Sequence, residues 1–585
     1  MIRTVRFFAA ALFALALTPF ATGQGITTGT IKGTVVDVSG AVVQNAQITA
    51  TNNAQGTQLN ATSGAEGLFS IYAVPIGVYT IDIAASGFST VHVTSVQINS
   101  GATTDLKSVR LQVGATAQVV VNGSSEALLQ TSDSQVTTTF SSQTVQNLPL
   151  NNGFDTAAEL IPGVVSTHAA NFSNSNGDNF SVNGQRGRAN NFEIDGQSNN
   201  DNYIAGPQAF FDNQDAIQEL QVITNDFSAQ YGRNAGSVVN YVTKSGTNAF
   251  HGSGFEFYNG SFLQSLAQES KSPLAGFCSP GVVPTQQNNC TPIAVPRVTE
   301  NRYGGTLGGP ILKDKLFFFG STYWDPFTTG TAPANTGTFT IPTPAGIQAL
   351  ESVFPGHPAV GILSNFGPYS IKTGNPGPVG TPQNQNVTGP NGMTVSIPFA
   401  PVQRTVASPS TDQEDLGRLD WQPTGKDRLF VRYFYQSTLA SAAFGSIPTG
   451  NWVDVPGTTH SIGADWTHDF NEHWVDQLRY SYQESKLAFQ GGSYPDCLTT
   501  NVAGCPAFLN FQSGEFSDFG ESSSFPQGRI IKVTQIQNNA TWTHGNHTLL
   551  FGGEFDYQNS PLTWLPFYGP ELSYEIGRAS CRERV

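Results

Sequence analysis

Charge is scarce in this 585-residue chain. Only 12% of its residues are Asp, Glu, Lys or Arg, and acids outnumber bases 42 to 27, for a formal net charge of −15. A chain this acidic has no basic face for a phosphate backbone, which excludes nucleic acid as a partner. Long apolar runs are missing as well. The run Phe7–Leu17 falls short of the roughly 20 residues that a spanning helix needs, so membrane insertion would require a β-barrel. Catalytic constellations are also absent: there is no G-x-S-x-G elbow, no H-E-x-x-H and no Walker loop. None of the nine histidines opens an H-x-x-E pair. The expectation is therefore a protein that is not an enzyme, with no cofactor and no resident metal. His544 and His547 flank a tight turn and read as an exposed hairpin rather than as ligands.

What is abundant is Gly, Asn, Thr, Ser and aromatic residues, which favours a turn-rich, all-β-dominated chain. Residues 1–23 read as a secretory signal, with Arg3 and Arg6 ahead of the apolar run and Ala21-Thr22-Gly23 as the cleavage site. The last eleven residues, Glu575–Val585, break the pattern, carrying five charges where the rest has few. They read as a translated sequencing adapter, so the natural protein is expected to continue past Tyr574. Setting both ends aside makes the chain more acidic still and removes Cys581. Cys278 and Cys290, and Cys497 and Cys505, then remain as two close pairs in Pro/Gly/Asn-rich loops. Two loop-closing disulfides are the natural assignment in an exported protein, a zinc site being the rival without any C-x-x-C spacing.

Residues 25–113 hold short alternating runs, among them Gly33–Asp37, Ala46–Ala50, Gly67–Tyr72, Val78–Ile83 and Val91–Val96, separated by tight turns. That spacing predicts a β-sandwich. The residues Gly33-x-Val35-x-Asp37-x-x-Gly40, Gly67-x-Phe69 and Val74-Pro75-x-Gly77-x-Tyr79 resemble the carboxypeptidase regulatory-like (prealbumin-like) domain, which is not itself catalytic. Residues 114–140 form a Ser/Thr/Gln/Val linker. Its β-prone stretch Gln118, Val119, Val120, Val121 and Asn122 could add to a partner's sheet edge, or be one more strand of the first unit.

Residues 141–248 contain a compact series of signals: Leu148-Pro149, a short helix Ala157–Ile161 stopped by Pro162-Gly163, Val182-Asn-Gly-x-Arg186, Ile194-Asp195-Gly196, Ile217-Gln-Glu-Leu220 and Tyr231-Gly-Arg-Asn-Ala-Gly236. From 249 to 574, aromatic-rich alternating segments are joined in turn by tight turns and by long loops. The tight turns are Lys313-Asp314, Thr424–Asp427, Asn471–His473 and Gly545-Asn546. The long stretches lie near 266–300, 325–410 and 486–530. Alternation of that kind is the signature of a transmembrane barrel, and about ten strands are expected.

Taken together, these motifs resemble the TonB-dependent outer-membrane receptors of the Oar-like type. The resemblance implies an N-terminal prealbumin-like β-sandwich, a small α+β plug and an incomplete transmembrane antiparallel β-barrel. It implies an outer-membrane location in a bacterial cell, with the first domain and linker periplasmic and the tight turns on that side. The TonB energy-coupling complex is the implied partner, at Gln118–Asn122, together with outer-membrane lipid and an extracellular ligand. Within the plug, Arg186, Arg188, Asp195 and Arg233 are the candidates to line the lumen. For Arg186 and Arg188 a salt bridge from plug to wall is preferred over a substrate path. The loop Asp195–Asp201 reads as solvated, with a calcium site as the rival. A surface adhesin without a plug is the alternative to transport.

Overall fold

The computed structural model describes residues 27–114, 119–122, 134–148, 154–166, 180–202, 206–228, 230–232, 235–264, 298–331, 338–357, 360–361, 364, 382–389, 392–403, 406–443, 452–471, 473–491, 508–511, 527–544, 547–560 and 571–574. The expected signal, the C-terminal tail and all four loop cysteines lie outside them.

The first unit is the sandwich that the alternating runs predict. Strands β1 (Thr28–Asp37), β4 (Leu68–Pro75) and β7 (Thr103–Leu111) form one sheet, with β1 central. The other contains β2 (Gln47–Asn52), β3 (Gln58–Thr62), β5 (Gly77–Ala84), β6 (Val91–Ile98) and β8 (Val119–Asn122), in the order β3-β2-β5-β6-β8. Inward residues at every second position, such as Ile48 and Ala50 on β2 and Ile81 and Ile83 on β5, meet Ile31, Val35 and Val109 from the facing sheet in one buried cluster. Strand β8 comes from the linker and pairs in parallel with β6, Val91 opposite Val119.

The second unit is built on a five-stranded sheet. Its strands are β9 (Val136–Ser141), β12 (Asn191–Ile194), β13 (Gln197–Ser198), β14 (Ile217–Asn225) and β15 (Val238–Thr243), in the order β13-β12-β15-β14-β9. The separate pair β10 (Val164–Ser166) and β11 (Phe180–Val182) and helix α1 (Ser142–Gln146) flank it. The expected helix near Ala157 is a 3-10 turn over Phe154–Leu160 that buries Ala157 and Ala158. One sheet face is apolar: Phe192, Ile194, Leu220, Val222, Val239 and Tyr241 share a cluster that runs on into Phe319, Leu416 and Phe434.

Those last three residues belong to the third unit, a nine-stranded antiparallel sheet. It comprises β16 (His251–Gly260), β17 (Val298–Leu312), β18 (Leu316–Thr331), β22 (Val406–Trp421), β23 (Asp427–Ala443), β24 (Trp452–Asn471), β25 (Trp474–Gly491), β27 (Gln527–His544) and β28 (His547–Asn559). Each strand pairs with its neighbour in this order; among the described residues β16 and β28 do not pair with each other. The expected tight turns at Lys313-Asp314 and Thr424–Asp427 fall at one end of the sheet, while Gly545-Asn546 and part of Asn471–His473 lie outside the described residues. At the other end the long stretch after β18 is itself folded, with β19 (Thr338–Pro342), β20 (Gln383–Thr388) and β21 (Thr394–Gln403) in a small sheet beside helix α2 (Pro344–Val353). Strand β26 (Phe508–Phe511) pairs in parallel with β29 (Glu571–Tyr574).

The large sheet wraps the second unit, and its pleat separates two environments. Along β23, Val431 and Tyr433 are 51% and 44% exposed, while Arg432 and Phe434 between them are each 1% exposed. Leu419, Ile462, Trp466, Leu478, Tyr480 and Ile536 continue the outer apolar band, and Ser461, Asp465, Gln477, Arg479 and Gln483 face inward. Apolar outside and polar inside, on strands longer than the 9–11 residues needed to cross a bilayer, is a wall with lipid outside and a polar lumen within. Ile462 lies mid-strand on the outer band. Ile462→Arg is expected to cost about 2–4 kcal/mol of folding stability in lipid vesicles, read from denaturant titrations. An equal cost for Ser461→Arg, on the lumen face, would argue against this assignment of faces.

Candidate functional site

The second unit is held in the lumen by a two-residue hairpin. Asp195 (φ 50) and Gly196 (φ 72) are both left-handed and join β12 to β13, with Ile194 paired to Gln197. An Asp-Gly pair suits the type I′ turn that such a tight hairpin favours. A Cβ on Gly196 would come within 2.6 Å of Arg479 Nη1, so the turn can press on the wall only with glycine there.

The turn delivers Asp195 to two guanidinium groups. Its Oδ2 is 2.8 Å from Arg432 Nη1 and its Oδ1 is 3.3 Å from Arg418 Nη1. Thr243 donates to the same carboxylate through its backbone N–H and its hydroxyl, each at 2.9 Å. Asp195 is fully buried and Arg432 nearly so. Arg418 is bidentate to Asp420 and lies over the Phe430 ring at 4.3 Å. Next to the turn, Gln197 donates to the carbonyls of Ala464 (3.0 Å) and Tyr480 (3.2 Å).

Contacts continue up the wall. Gln535 accepts from Ser198 N–H (3.0 Å), and Gln483 donates to Asn199 (2.8 Å). Arg529 holds Asp201 with two N–H groups (3.1 and 2.7 Å). Gln436 accepts from Phe210 N–H, and Glu414 from the N–H groups of Asp212 and Asn213. Above them, toward the long loops, a cavity of about 800 Å³ opens between plug and wall. Its lining carries Asp201, Asp212, Glu300, Asp325 and Asp412 beside Arg302, Lys486 and Arg529.

At the opposite end, the N-terminal sandwich sits beneath the second unit. Glu219 Oε1 accepts the N–H of Ser100 at 2.8 Å. Burial pushes Glu219 up to about 7, against the opposing hydrogen bonds from Ser100. Burial likewise takes Glu193 to about 7, opposed chiefly by the charge of Arg479.

The structure brings one sequence candidate, Asp195, into the centre of this interface. Arg186 and Arg188 lie exposed on the β11–β12 connection, and Arg233 falls outside the described residues. Among the described residues, Asp195 and Asp201 of the plug pair with Arg418, Arg432 and Arg529 of the wall. The loop read as solvated is largely buried: Asp195, Gln197, Asn199, Asn200 and Asp201 all pack inward, and Ser198 is half-buried. Its two carboxylates face guanidinium groups, not open water. Arg418, Arg432, Arg479 and Arg529 were missed as site residues. The signal for them was available, since each arginine occupies an inward position of an alternating strand.

Residues 242–568, more than half of the chain, match the family described as "Outer membrane beta barrel domain". Residues 129–239 match "TonB-dependent Receptor Plug Domain" and residues 30–112 match "Carboxypeptidase regulatory-like domain". The TonB-dependent transporter Oar of Myxococcus xanthus is 29% identical over 303 residues, which cover 50% of this chain and 26% of that protein. The chain thus spans about a quarter of that relative's length. Among solved structures, the outer membrane transporter YddB from Escherichia coli aligns with TM-score 0.48 and 12% identity, over 77% of this chain and 51% of its own. The ferric enterobactin receptor PfeA from Pseudomonas aeruginosa aligns with TM-score 0.41 and 12% identity, over 73% and 50%.

Two outcomes follow from the buried charges. Asp195→Asn leaves Arg432 buried without its carboxylate and is expected to cost about 3–5 kcal/mol, seen as plug release in limited proteolysis. Asp195→Asn with Arg432→Met should recover part of that loss; no recovery would show that the pair is not coupled. For the raised glutamates, the native state holds protons that the unfolded chain has released between pH 4.5 and about 7. Stability is therefore greatest below that window and falls as pH rises through it, by about 3 kcal/mol per group at most. Glu219→Gln should flatten the denaturation midpoint across this range, and an unchanged slope would contradict the assignment.

Proposed function

Because this chain belongs to the outer membrane beta barrel family, in its TonB-dependent, plug-bearing branch, we propose that it moves a large or scarce solute across the outer membrane through its plugged barrel. The observation that carries this reading is the character of the plug-to-wall contact. Apolar packing at Phe211 and Phe434, with ring centroids 4.5 Å apart, fixes one side of the plug. Its rim from Ser198 to Asn213 is held by hydrogen bonds and ion pairs that water can replace one at a time. A plug so seated can rearrange without unfolding the wall.

In this reading the solute first meets plug and wall at the cavity on the long-loop side, where Asp201 and Asp212 from the plug approach wall residues. Work is supplied from the periplasmic side by TonB, drawing on Gln118–Asn122. Among the described residues strand β8 is the outer strand of its sheet, so that edge can accept a partner strand while the other stays paired to β6. The adhesin alternative loses ground because it has no use for a plug.

The test of coupling is cysteine cross-linking. Single cysteines at positions 118–122 are expected to capture a TonB C-terminal domain in register-dependent fashion. Equal capture by a chain with this segment scrambled would sink the assignment.

A further inference from the structure

The plug sheet has a second face, and it is polar. Across it runs one row in cross-strand register: Glu193 on β12, Asn240 on β15, Gln221 on β14 and Thr139 on β9, with Glu219 two residues along β14. Such a face suits water, yet Glu193, Asn240, Gln221 and Glu219 are all buried. Three atoms in the row, Glu193 Oε2, Asn240 Nδ2 and Gln221 Oε1, have no hydrogen-bond partner. Polar groups of this kind are met as well by water as by protein.

The N-terminal sandwich contacts this face at the turn after β6. Ser100 is gripped through both of its backbone groups: its N–H donates to Glu219, and its carbonyl accepts from Gln221 Nε2 at 2.8 Å. Gly101 (φ 62) follows, and a Cβ there would come within 2.7 Å of Gln221 Nε2. A second turn, Asn52–Gly56, grips the plug-to-wall junction. Gln55 donates to Ser245 Oγ (3.1 Å) and to the carbonyl of Gly246 (3.0 Å), while Asn248 N–H donates to the carbonyl of Ala54 (2.9 Å). Asn248 in turn donates to Asp314 in the first tight turn (2.6 Å). Tyr72 meets Thr548, and Gln422 donates to the carbonyl of Gln58 (3.3 Å), both at further tight turns.

These grips are polar, and the apolar cores of sandwich and plug are separate clusters. The sandwich also holds plug and wall at once. We infer that the N-terminal sandwich is a detachable lid, docked on the polar face of the plug sheet, that closes the periplasmic mouth and braces the plug against the wall until it leaves. A polar inter-domain interface is the kind that opens readily. This goes beyond the transport reading and rests on it only for what the release serves.

Hydrogen–deuterium exchange on the full chain in detergent micelles tests the lid without TonB or solute, so its outcome is separate from that of the cross-linking. In the unaltered chain, backbone amides of 98–103 and 217–225 should be protected together. Glu219→Ala with Gln221→Ala leaves the sandwich sequence untouched. It is expected to raise exchange at 98–103 at least tenfold while β5 stays protected. Gly101→Val, from the other side, should raise exchange at 98–103 likewise, while 217–225 stays protected by its own pairing with β15 and β9. If both variants leave exchange at 98–103 unchanged, or if β5 loses protection along with 98–103 in the plug-side variant, the lid is overturned.

Discussion

One carboxylate decides where the plug stands. Asp195 is fully buried between Arg432 and Arg418, and two further donors from Thr243 complete its shell. Removing any of these charges from water is expensive, and only good geometry repays it. The pairing therefore admits one position of the plug in the lumen, and the hairpin at Asp195-Gly196, the packing of Gln197 on the wall carbonyls and the stacking of Arg418 on Phe430 all serve that position. A Cβ on Gly463 would overlap Gln197, so the wall too is shaped around this turn.

The plug has two interfaces of different character. Against the wall it shares an apolar cluster reaching Phe319, Leu416 and Phe434, reinforced by buried ion pairs. Against the sandwich the described grips are hydrogen bonds, such as those of Ser100 with Glu219 and Gln221, and the apolar cores of the two units are separate. Apolar burial resists separation because water offers it nothing in return, whereas exchanged hydrogen bonds come close to balance. The physical expectation is an order of events in which the sandwich parts first and the plug moves afterwards. Force applied from the periplasmic side would meet the weaker interface before the stronger.

Much of the architecture was legible because alternation is a local property. The outer band at Val431, Tyr433, Ile462 and Tyr480 follows from period two, and each tight turn follows from its Gly, Asn, Asp or Lys-Asp content. The strand ends were less legible: β18 and β22 run well into the stretch read as loop, since pairing with a neighbour extends a strand past its strongest pattern. The linker stretch, read as able to add to a partner's sheet edge or as one more strand of the first unit, pairs with β6, on an edge contributed by residues distant in the chain.

Period and turn chemistry, both readable along the chain, determined that there would be a sandwich and a membrane wall and that Asp195 would sit in a tight turn, while the plug was legible through the resemblance of its motifs. Which groups meet across the lumen was decided by tertiary structure alone. Asp195 and Arg432 are separated by 237 positions, and no local pattern says which inward arginine a given acid will face. Arg186 and Arg188 looked equal to the task because charge can be read from sequence and distance cannot. Burial then completes the selection, since a low-dielectric lumen tolerates only those charges that the closed fold brings into contact.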